Sequence, residues 1–202
     1  MRIAILGHGP LAAPLEHLAE RAGHAARWTN SASATQKTTE SGDPLALVIL
    51  AGSRAGVETQ LAALSRAIPP DAVVVDATIP TAIHRDDGSE SPSDGAAAGW
   101  INARLPRARI VRAFASVPAD ALIALLQQPR TEESATLAVP LAGDDRDAKD
   151  VVAAFMRDIG VEPFDLGALG AATAIDPGGP LWRMALSPLE MTEAVGWLSG
   201  DG

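Results

Sequence analysis

The most constraining feature of this 202-residue sequence is a pair of glycines placed directly after its first apolar run. Residues 2–6 read Arg-Ile-Ala-Ile-Leu, which predicts a central parallel strand that is covered on both faces. Residues 7–12 match the pattern G-x-G-x-x-A, and Leu11, Leu15 and Leu18 then follow on one face of a predicted helix. Strand, glycine turn and helix therefore come in the order that a dinucleotide-binding turn requires.

The residue types in this turn suit a bound pyrophosphate. Gly7 permits the tight turn, Gly9 lets backbone N–H groups approach a phosphate, and Ala12 allows the helix to pack closely on the strand. A proline is well suited to the first helical turn, where an N–H would have no intrahelical partner. We predict that the dinucleotide contacts Gly7, His8, Gly9, Pro10 and Leu11. The alternative is a simple strand-to-helix turn without a ligand.

The composition excludes several other kinds of chemistry. The chain has no Cys and no Tyr, which removes disulfides, thiolate nucleophiles, cysteine-ligated zinc and the tyrosine-dependent mechanism of short-chain reductases. Its 16 Lys and Arg against 25 Asp and Glu give a formal charge of −9, which argues against binding nucleic acid. The histidines show no spacing typical of a metal site. An anionic ligand must therefore be held locally, by backbone N–H groups at a helix N-terminus.

Length and hydropathy bound the organisation of the chain. With 47% hydrophobic residues, 202 residues suit one ordinary domain or one domain with a small appendage. There is no run of about 20 apolar residues that would predict a membrane span, and the N-terminus lacks the pattern of a signal peptide. We expect a cytoplasmic protein that binds neither a membrane nor nucleic acid.

The end of the second predicted strand, residues 24–29, bears on the choice of dinucleotide. Proteins that bind NAD place Asp or Glu here against the ribose 2′-hydroxyl, whereas those that bind NADP avoid that charge. In this chain no carboxylate follows the strand before Glu40. The sequence therefore favours NADP, with the 2′-phosphate contacted by Thr29, Asn30, Ser31 and Lys37. A plain loop rich in Ser and Thr is the alternative.

Strands and helices alternate along the rest of the chain, which predicts an α/β fold with a mainly parallel sheet. Further strands are predicted at 45–51, 73–76, 109–114, 135–140 and 161–166, and helices at 55–67, 96–105, 119–127 and 146–159. We predict a dinucleotide-binding domain at 1–170 and an irregular tail at 171–202. The tail could close over the site or form the contact of a homodimer.

The turns after two further strands are additional candidates for the site, because ligands bind at the carboxyl ends of strands in such sheets. These turns comprise Ala51, Gly52 and Ser53, and then Ala77, Thr78 and Ile79. Asp76, which ends the second of these strands, could equally cap its turn. Residues 85–95 are acidic and free of apolar side chains, and predict a mobile loop that is either a lid or a solvated excursion.

Several segments together resemble one family, the coenzyme F-420-dependent NADP oxidoreductases, whose fold also occurs in the cytosolic domain of the STEAP metalloreductases. The resemblance covers most of the chain in order and spacing. Besides the glycine turn, the matching segments are 22–24, 30–31, 74–78, 105–114, 142–145 with 148–149, and 159–169.

This resemblance implies a doubly wound, Rossmann-type domain that binds NADP, with a deazaflavin (F-420) or flavin over the nicotinamide. Hydride would pass directly between the two rings, beside Ala113, Phe114 and Ala115. Such transfer depends on placing two cofactors against each other, so no catalytic side chain is predicted.

The chain also departs from the family's pattern. The span from Ser31 to Pro44 is too short for the family's next helix and strand, so we predict that one outer strand is missing and that the second strand lies at an edge. Ala32 stands where the family has arginine, and Ala115 where it has a polar residue. These changes leave a second hypothesis open, a non-catalytic protein that binds or senses a dinucleotide.

Overall fold

The computed structural model describes residues 1–29, 45–69, 72–79, 82–84, 90–92, 97–128 and 136–199. The strands are β1 (Arg2–Leu6), β2 (Ala25–Thr29), β3 (Leu45–Leu50), β4 (Val73–Asp76), β5 (Ala82–His84), β6 (Glu90–Pro92), β7 (Arg109–Ala113), β8 (Ala138–Gly143) and β9 (Glu162–Asp165). The helices are α1 (Ala12–Arg21), α2 (Arg54–Ala67), α3 (Ala97–Arg104), α4 (Ala119–Gln127), α5 (Arg146–Asp158) and α6 (Pro188–Ser199), with a 3₁₀ helix at Leu169–Ile175.

Within the described residues, seven strands form one sheet in the order β2-β1-β3-β4-β7-β8-β9. Every neighbouring pair is parallel except β7 and β8. The predicted Rossmann-type, doubly wound and mainly parallel sheet is thus confirmed. The chain passes from β1 to β2 on one side and then to β3 on the other, so the topological switch point lies between β1 and β3.

The sheet is buried on both faces because its central strands are apolar on both sides. On one face Ile5 of β1 belongs to a core that includes Leu15 of α1 and Phe155 of α5. On the other face Leu50 of β3 shares a core with Leu64 of α2. Full burial of each such side chain stabilises the folded state by roughly 1.5–3 kcal/mol, so both helical layers contribute to the stability of the fold.

Strand β8 departs most from the prediction. It occupies Ala138–Gly143 rather than 135–140, and it runs antiparallel to β7. Its ladder with β7 covers Leu141 to Gly143, whereas Pro140 pairs in register only with Phe164 of β9. Proline has no N–H to donate and is tolerated here because the β7 ladder begins one residue later. This pair is the one antiparallel neighbour in the described sheet, which a mainly parallel sheet allows.

Two segments that were predicted to be irregular contain regular structure. Residues 90–92 form β6, which pairs antiparallel with β5, so the predicted loop 85–95 is wrong at these positions; its other residues lie outside the described part. In the tail, Ile175, Leu181 and Met191 are buried in the same core as Leu50 of β3, and α6 covers that core. The division at residue 170 remains a prediction, and side chains on both sides of it share one core.

Two other expectations concern the edges of the molecule. The missing outer strand was predicted within residues 31–44, which lie outside the described residues; β2 is the outermost described strand on that side. In the described ranges, no helix is long and apolar enough to cross a membrane.

Candidate functional site

A cleft of 370 Å³ opens at the switch point between β1 and β3. The turn after β1 leads into α1, and the turn after β3 leads into α2, so the N-termini of two helices meet there. The cleft is lined by Gly7, His8, Gly9, Pro10, Gly52, Ser53, Gly56, Val57 and Ile79.

The glycines are required because the two turns touch each other. Gly7 has a φ of 119°, and a Cβ placed on it would lie 2.2 Å from the carbonyl oxygen of Ala51. A Cβ on Gly9 would lie 2.8 Å from the Cα of Gly52. The N–H of Gly9 donates to the carbonyl of Ala51 at 3.0 Å, which ties the two turns together. The glycine pattern thus serves the packing of the two turns.

The helix N-termini give the cleft a positive potential. Neither α1 nor α2 carries an acidic residue in its first turn, and no side chain caps α1. At α2, the Oγ of Ser53 accepts the N–H of Gly56 at 3.1 Å. A hydroxyl that accepts one hydrogen bond keeps its own proton to donate. The positive ends of the two helix dipoles make this edge suitable for a phosphate in an otherwise acidic protein.

Seven of the residues predicted for the site line the cleft, namely Gly7, His8, Gly9, Pro10, Gly52, Ser53 and Ile79. Four others lie beside it but are buried: Leu11, Ala51, Ala77 and Thr78. The carbonyl of Ala51 contacts the glycine turn, whereas Leu11 packs in the core. Gly56 and Val57 were missed, although their place in the first turn after a strand-end serine could have indicated them. The assignment of these residues to a dinucleotide remains a prediction.

The turn after β7 is buried rather than open to the cleft. Phe114 has a φ of 64°, which is uncommon for a residue other than glycine. Its ring belongs to the core and lies edge-on to Phe155, with 6.3 Å between the ring centroids. The neighbouring Ala113 and Ala115 are buried as well. These three predicted residues therefore do not line the cleft with their side chains.

The predicted contacts to the 2′-phosphate are described only in part. Thr29 is half-buried at the end of β2, whereas Asn30, Ser31 and Lys37 lie outside the described residues. Trp28 was missed by the sequence reasoning. Its indole Nε1 donates to the carbonyl of Gly7 at 2.6 Å, and 42% of the residue is exposed. An aromatic ring at the end of the second strand thus lies against the glycine turn.

A buried ion-pair cluster lies behind the wall of the cleft. Arg112 of β7 is fully buried, and its Nη1 lies 3.2 Å from Oδ1 of Asp76. Its Nη2 donates to Oδ1 of Asp176 at 2.7 Å. Asp76 also accepts the N–H of Thr78 at 3.0 Å. It therefore caps its turn, which is one of the two roles predicted for it. Sequence patterns give little sign of this cluster because its members are 36 and 64 residues apart.

The cleft carries one titratable side chain among its described lining residues, the imidazole of His8. Elsewhere in the described ranges, no three His, Asp or Glu residues are grouped so that they could hold a metal ion. What the arrangement offers is a cleft at two helix N-termini with small and apolar walls.

No protein-family model matches the chain, and no curated protein matches it either. Solved structures do share its fold. A hypothetical protein from Sinorhizobium meliloti has a TM-score of 0.66 at 22% identity, over 93% of this chain and 95% of that one. A protein provisionally assigned as an F-420-dependent NADP reductase, from Arthrobacter sp. FB24, has a TM-score of 0.62 at 20% identity, over 85% and 87%.

A glycerol-3-phosphate dehydrogenase from Coxiella burnetii is also similar, with a TM-score of 0.53 at 14% identity, over 81% of this chain and 53% of that one. At these identities the likeness establishes the fold. The resemblance to the F-420-dependent NADP oxidoreductases is therefore confirmed at the level of the fold.

Proposed function

We propose that this protein is an NADP(H)-dependent oxidoreductase that moves a hydride between the nicotinamide and a deazaflavin or flavin. The observation that carries the proposal is the cleft at the switch point, where glycine turns and two helix N-termini meet. In sheets of this kind, a dinucleotide binds at the switch point with its pyrophosphate against a helix N-terminus.

The residues present fit such a ligand. A Cβ at Gly7 or Gly9 would fill the space between the two turns, so the glycines keep the backbone close, as the approach of a pyrophosphate requires. On the other side of the cleft, the hydroxyl of Ser53 can donate to a ribose or phosphate oxygen, and Ile79 supplies an apolar wall. When bound, the nicotinamide supplies the hydride chemistry, and the chain's residues bind, orient and exclude water.

NADP is favoured over NAD by the end of β2. No carboxylate occurs from Arg27 to Ala32, where a reader of the 2′-hydroxyl would place one. Arg27 is exposed on the same strand and adds a positive charge near this end. A 2′-phosphate would meet less repulsion there than at an acidic strand end.

A second planar cofactor suits the cleft as hydride acceptor. Reduction of a carbonyl requires an acid that protonates the developing alkoxide. Among the described lining residues only His8 could serve, whereas hydride passing between two ring systems needs mainly their placement within about 3–3.5 Å. The provisional assignment of the Arthrobacter protein as an F-420-dependent NADP reductase supports the same choice.

Binding is tested by titrating the protein with NADPH and, separately, with NADH, and following tryptophan fluorescence and heat. We expect NADPH to bind more tightly than NADH. Equal affinities would contradict the assignment of NADP, and the absence of binding by either would contradict the proposal as a whole.

A non-catalytic dinucleotide sensor is the second candidate. It is favoured by the burial of the turn after β7, where Ala113 is 0% and Ala115 is 3% exposed, so little of that turn is available to a second ligand. Turnover separates the two candidates. NADPH oxidation in the presence of F-420, FMN or a ferric chelate supports the oxidoreductase; binding of NADPH without any hydride transfer supports the sensor.

A further inference from the structure

We propose that Arg112 is a positioning residue for the cleft, and that Asp176 of the C-terminal segment fixes Arg112. The inference rests on the proposed function, because the cleft that Arg112 shapes is the one to which we assign the dinucleotide. Neither side chain lines the cleft, so any effect on a ligand must act through the backbone between them.

Arg112 contacts the main chain of the turn after β4. Its Nη1 donates to the carbonyl of Thr78 at 2.7 Å and to the carbonyl of Asp76 at 3.2 Å. Asp76 in turn accepts from the hydroxyl of Thr78 at 2.7 Å. The guanidinium thus holds the turn by its main chain, in a site with no exposure to solvent.

The turn after β4 is hydrogen-bonded to the turn after β3, and both line the cleft. Ile79 follows Thr78 and lines the cleft, and its N–H donates to the carbonyl of Gly52 at 2.8 Å. Its own carbonyl accepts from the N–H of Arg54 at 3.3 Å. Gly52 packs directly against Gly9. A shift of Thr78 would therefore move Ile79, then Gly52, to which Ile79 is hydrogen-bonded, and then the glycine turn.

Asp176 holds Arg112 from the C-terminal segment. Asp176 ends the 3₁₀ helix, and its carbonyl accepts from the N–H of Gly179 at 2.8 Å. A Cβ on Gly179 would lie 2.3 Å from the carbonyl oxygen of Thr173, so this turn is packed tightly against the helix before it. The Asp176 carboxylate is thus presented from a compact turn, and it contacts Arg112 from a segment that packs in the core of Leu50 and Leu64.

Stability alone is a weak reason for this cluster. A buried ion pair loses so much hydration that apolar side chains of similar size often stabilise a protein equally well. The planar guanidinium offers what they cannot, because it can donate to carbonyls of one turn and to a carboxylate of another segment at once. By reciprocity, a ligand that favours the ordered cleft must also favour docking of the C-terminal segment.

The test compares Asp176→Ala with Asp176→Asn, which keeps an oxygen that can accept from Arg112. Asp145→Ala is the matched control, because Asp145 also pairs with an arginine, Arg109, and neither of them lines the cleft. Two quantities are measured in each variant: hydrogen exchange at the amide of Ile79 relative to amides of β1, and the affinity for NADPH.

We expect Asp176→Ala to speed exchange at Ile79 selectively and to weaken NADPH binding by about tenfold, within the usual range of coupling between sites. Asp176→Asn should recover most of both effects. Asp145→Ala should lower the melting temperature while leaving the relative exchange at Ile79 unchanged. If Asp176→Ala does not fold, Arg112→Lys takes its place in the test, because lysine keeps the charge but cannot reach both partners at once. Arg112→Lys should also speed exchange at Ile79.

Unchanged relative exchange at Ile79 in the folded variant would overturn the inference, as would an equal change in the Asp145→Ala control. A wild-type protein that binds no NADPH would instead overturn the proposed function, and the exchange measurement would still decide the role of Arg112.

Discussion

Single residues of the glycine turn make the sharpest test of the cleft. In Gly9→Ala the new Cβ would lie 2.8 Å from the Cα of Gly52, so the two turns must separate. Each lost hydrogen bond to a charged phosphate costs about 1.5–3 kcal/mol, and we expect NADPH affinity to fall by about 10- to 100-fold. Titration calorimetry measures the change.

The control for that variant is Gly99→Ala. Gly99 lies in α3, where a Cβ would meet nothing within 4 Å, so the same chemical change should leave the affinity for NADPH as it is. Unaltered binding by Gly9→Ala would show that the ligand does not depend on the contact between the turns. Because the chain's net charge is −9, removal of any single surface Lys or Arg should cost less affinity than Gly9→Ala.

Trp28 should report binding at the glycine turn. Its indole donates to Gly7 and is 42% exposed, so a ligand beside Gly7 changes the surroundings of this ring. We expect Trp28→Phe to bind NADPH but to lose most of the emission change that accompanies binding. Trp197→Phe, which alters a residue that is 78% exposed on α6, should keep that change. A full response in Trp28→Phe would place the ligand elsewhere.

At the level of elements, the start of α5 predicts a defined dependence on pH. Hydrogen bonding to Arg109, together with the N–H of Ala148, lowers the pKa of Asp145 to about 2 from 3.8. A lowered pKa stabilises the fold in full above the unfolded value of 3.8, and this contribution is lost as the pH falls toward 2. Asp145→Asn should therefore lower the melting temperature at pH 7, and the difference from wild type should shrink from pH 4 downward.

The neighbouring Asp147→Asn is the control for this element. Asp147 is in the first turn of the same helix, but its side chain is 89% exposed and its Oδ2 lies 3.9 Å from Arg109. The same loss of charge should change the melting temperature little at any pH. A deficit of Asp145→Asn that stays constant between pH 7 and pH 3 would argue against the ion pair as its source.

Elements with a strong local period were predictable, whereas the direction of a strand was not. Helix α4 occupies Ala119–Gln127 as predicted, because its leucines recur at helical spacing and its proline precedes the first turn. For β8, a hydrophobic run shows that a strand exists but not which neighbour it pairs with. The antiparallel ladder of Leu141–Gly143 with β7 depends on where the chain returns after α4, and no local pattern encodes that return.

At the level of the whole molecule, local sequence patterns predict the glycine turn of the site but not the buried ion-pair cluster behind it. The turn at Gly7 and Gly9 was predictable because its signal is contained in six consecutive residues. The cluster of Arg112, Asp76 and Asp176 was not, because an arginine in a short strand gives no sign of partners on other segments. Burial of a charge among distant partners is a property of the tertiary fold, and only the assembled sheet places them together.

The C-terminal helix closes the second core, and this is testable by one pair of substitutions. Met191 of α6 is 1% exposed within that core, whereas Leu189, two residues earlier, is 69% exposed. Truncating a buried methionine costs about 2–5 kcal/mol, so Met191→Ala should unfold at clearly lower urea concentration. Leu189→Ala should stay within about 0.5 kcal/mol of wild type. Equal stability of the two variants would mean that Met191 does not anchor α6 in this core.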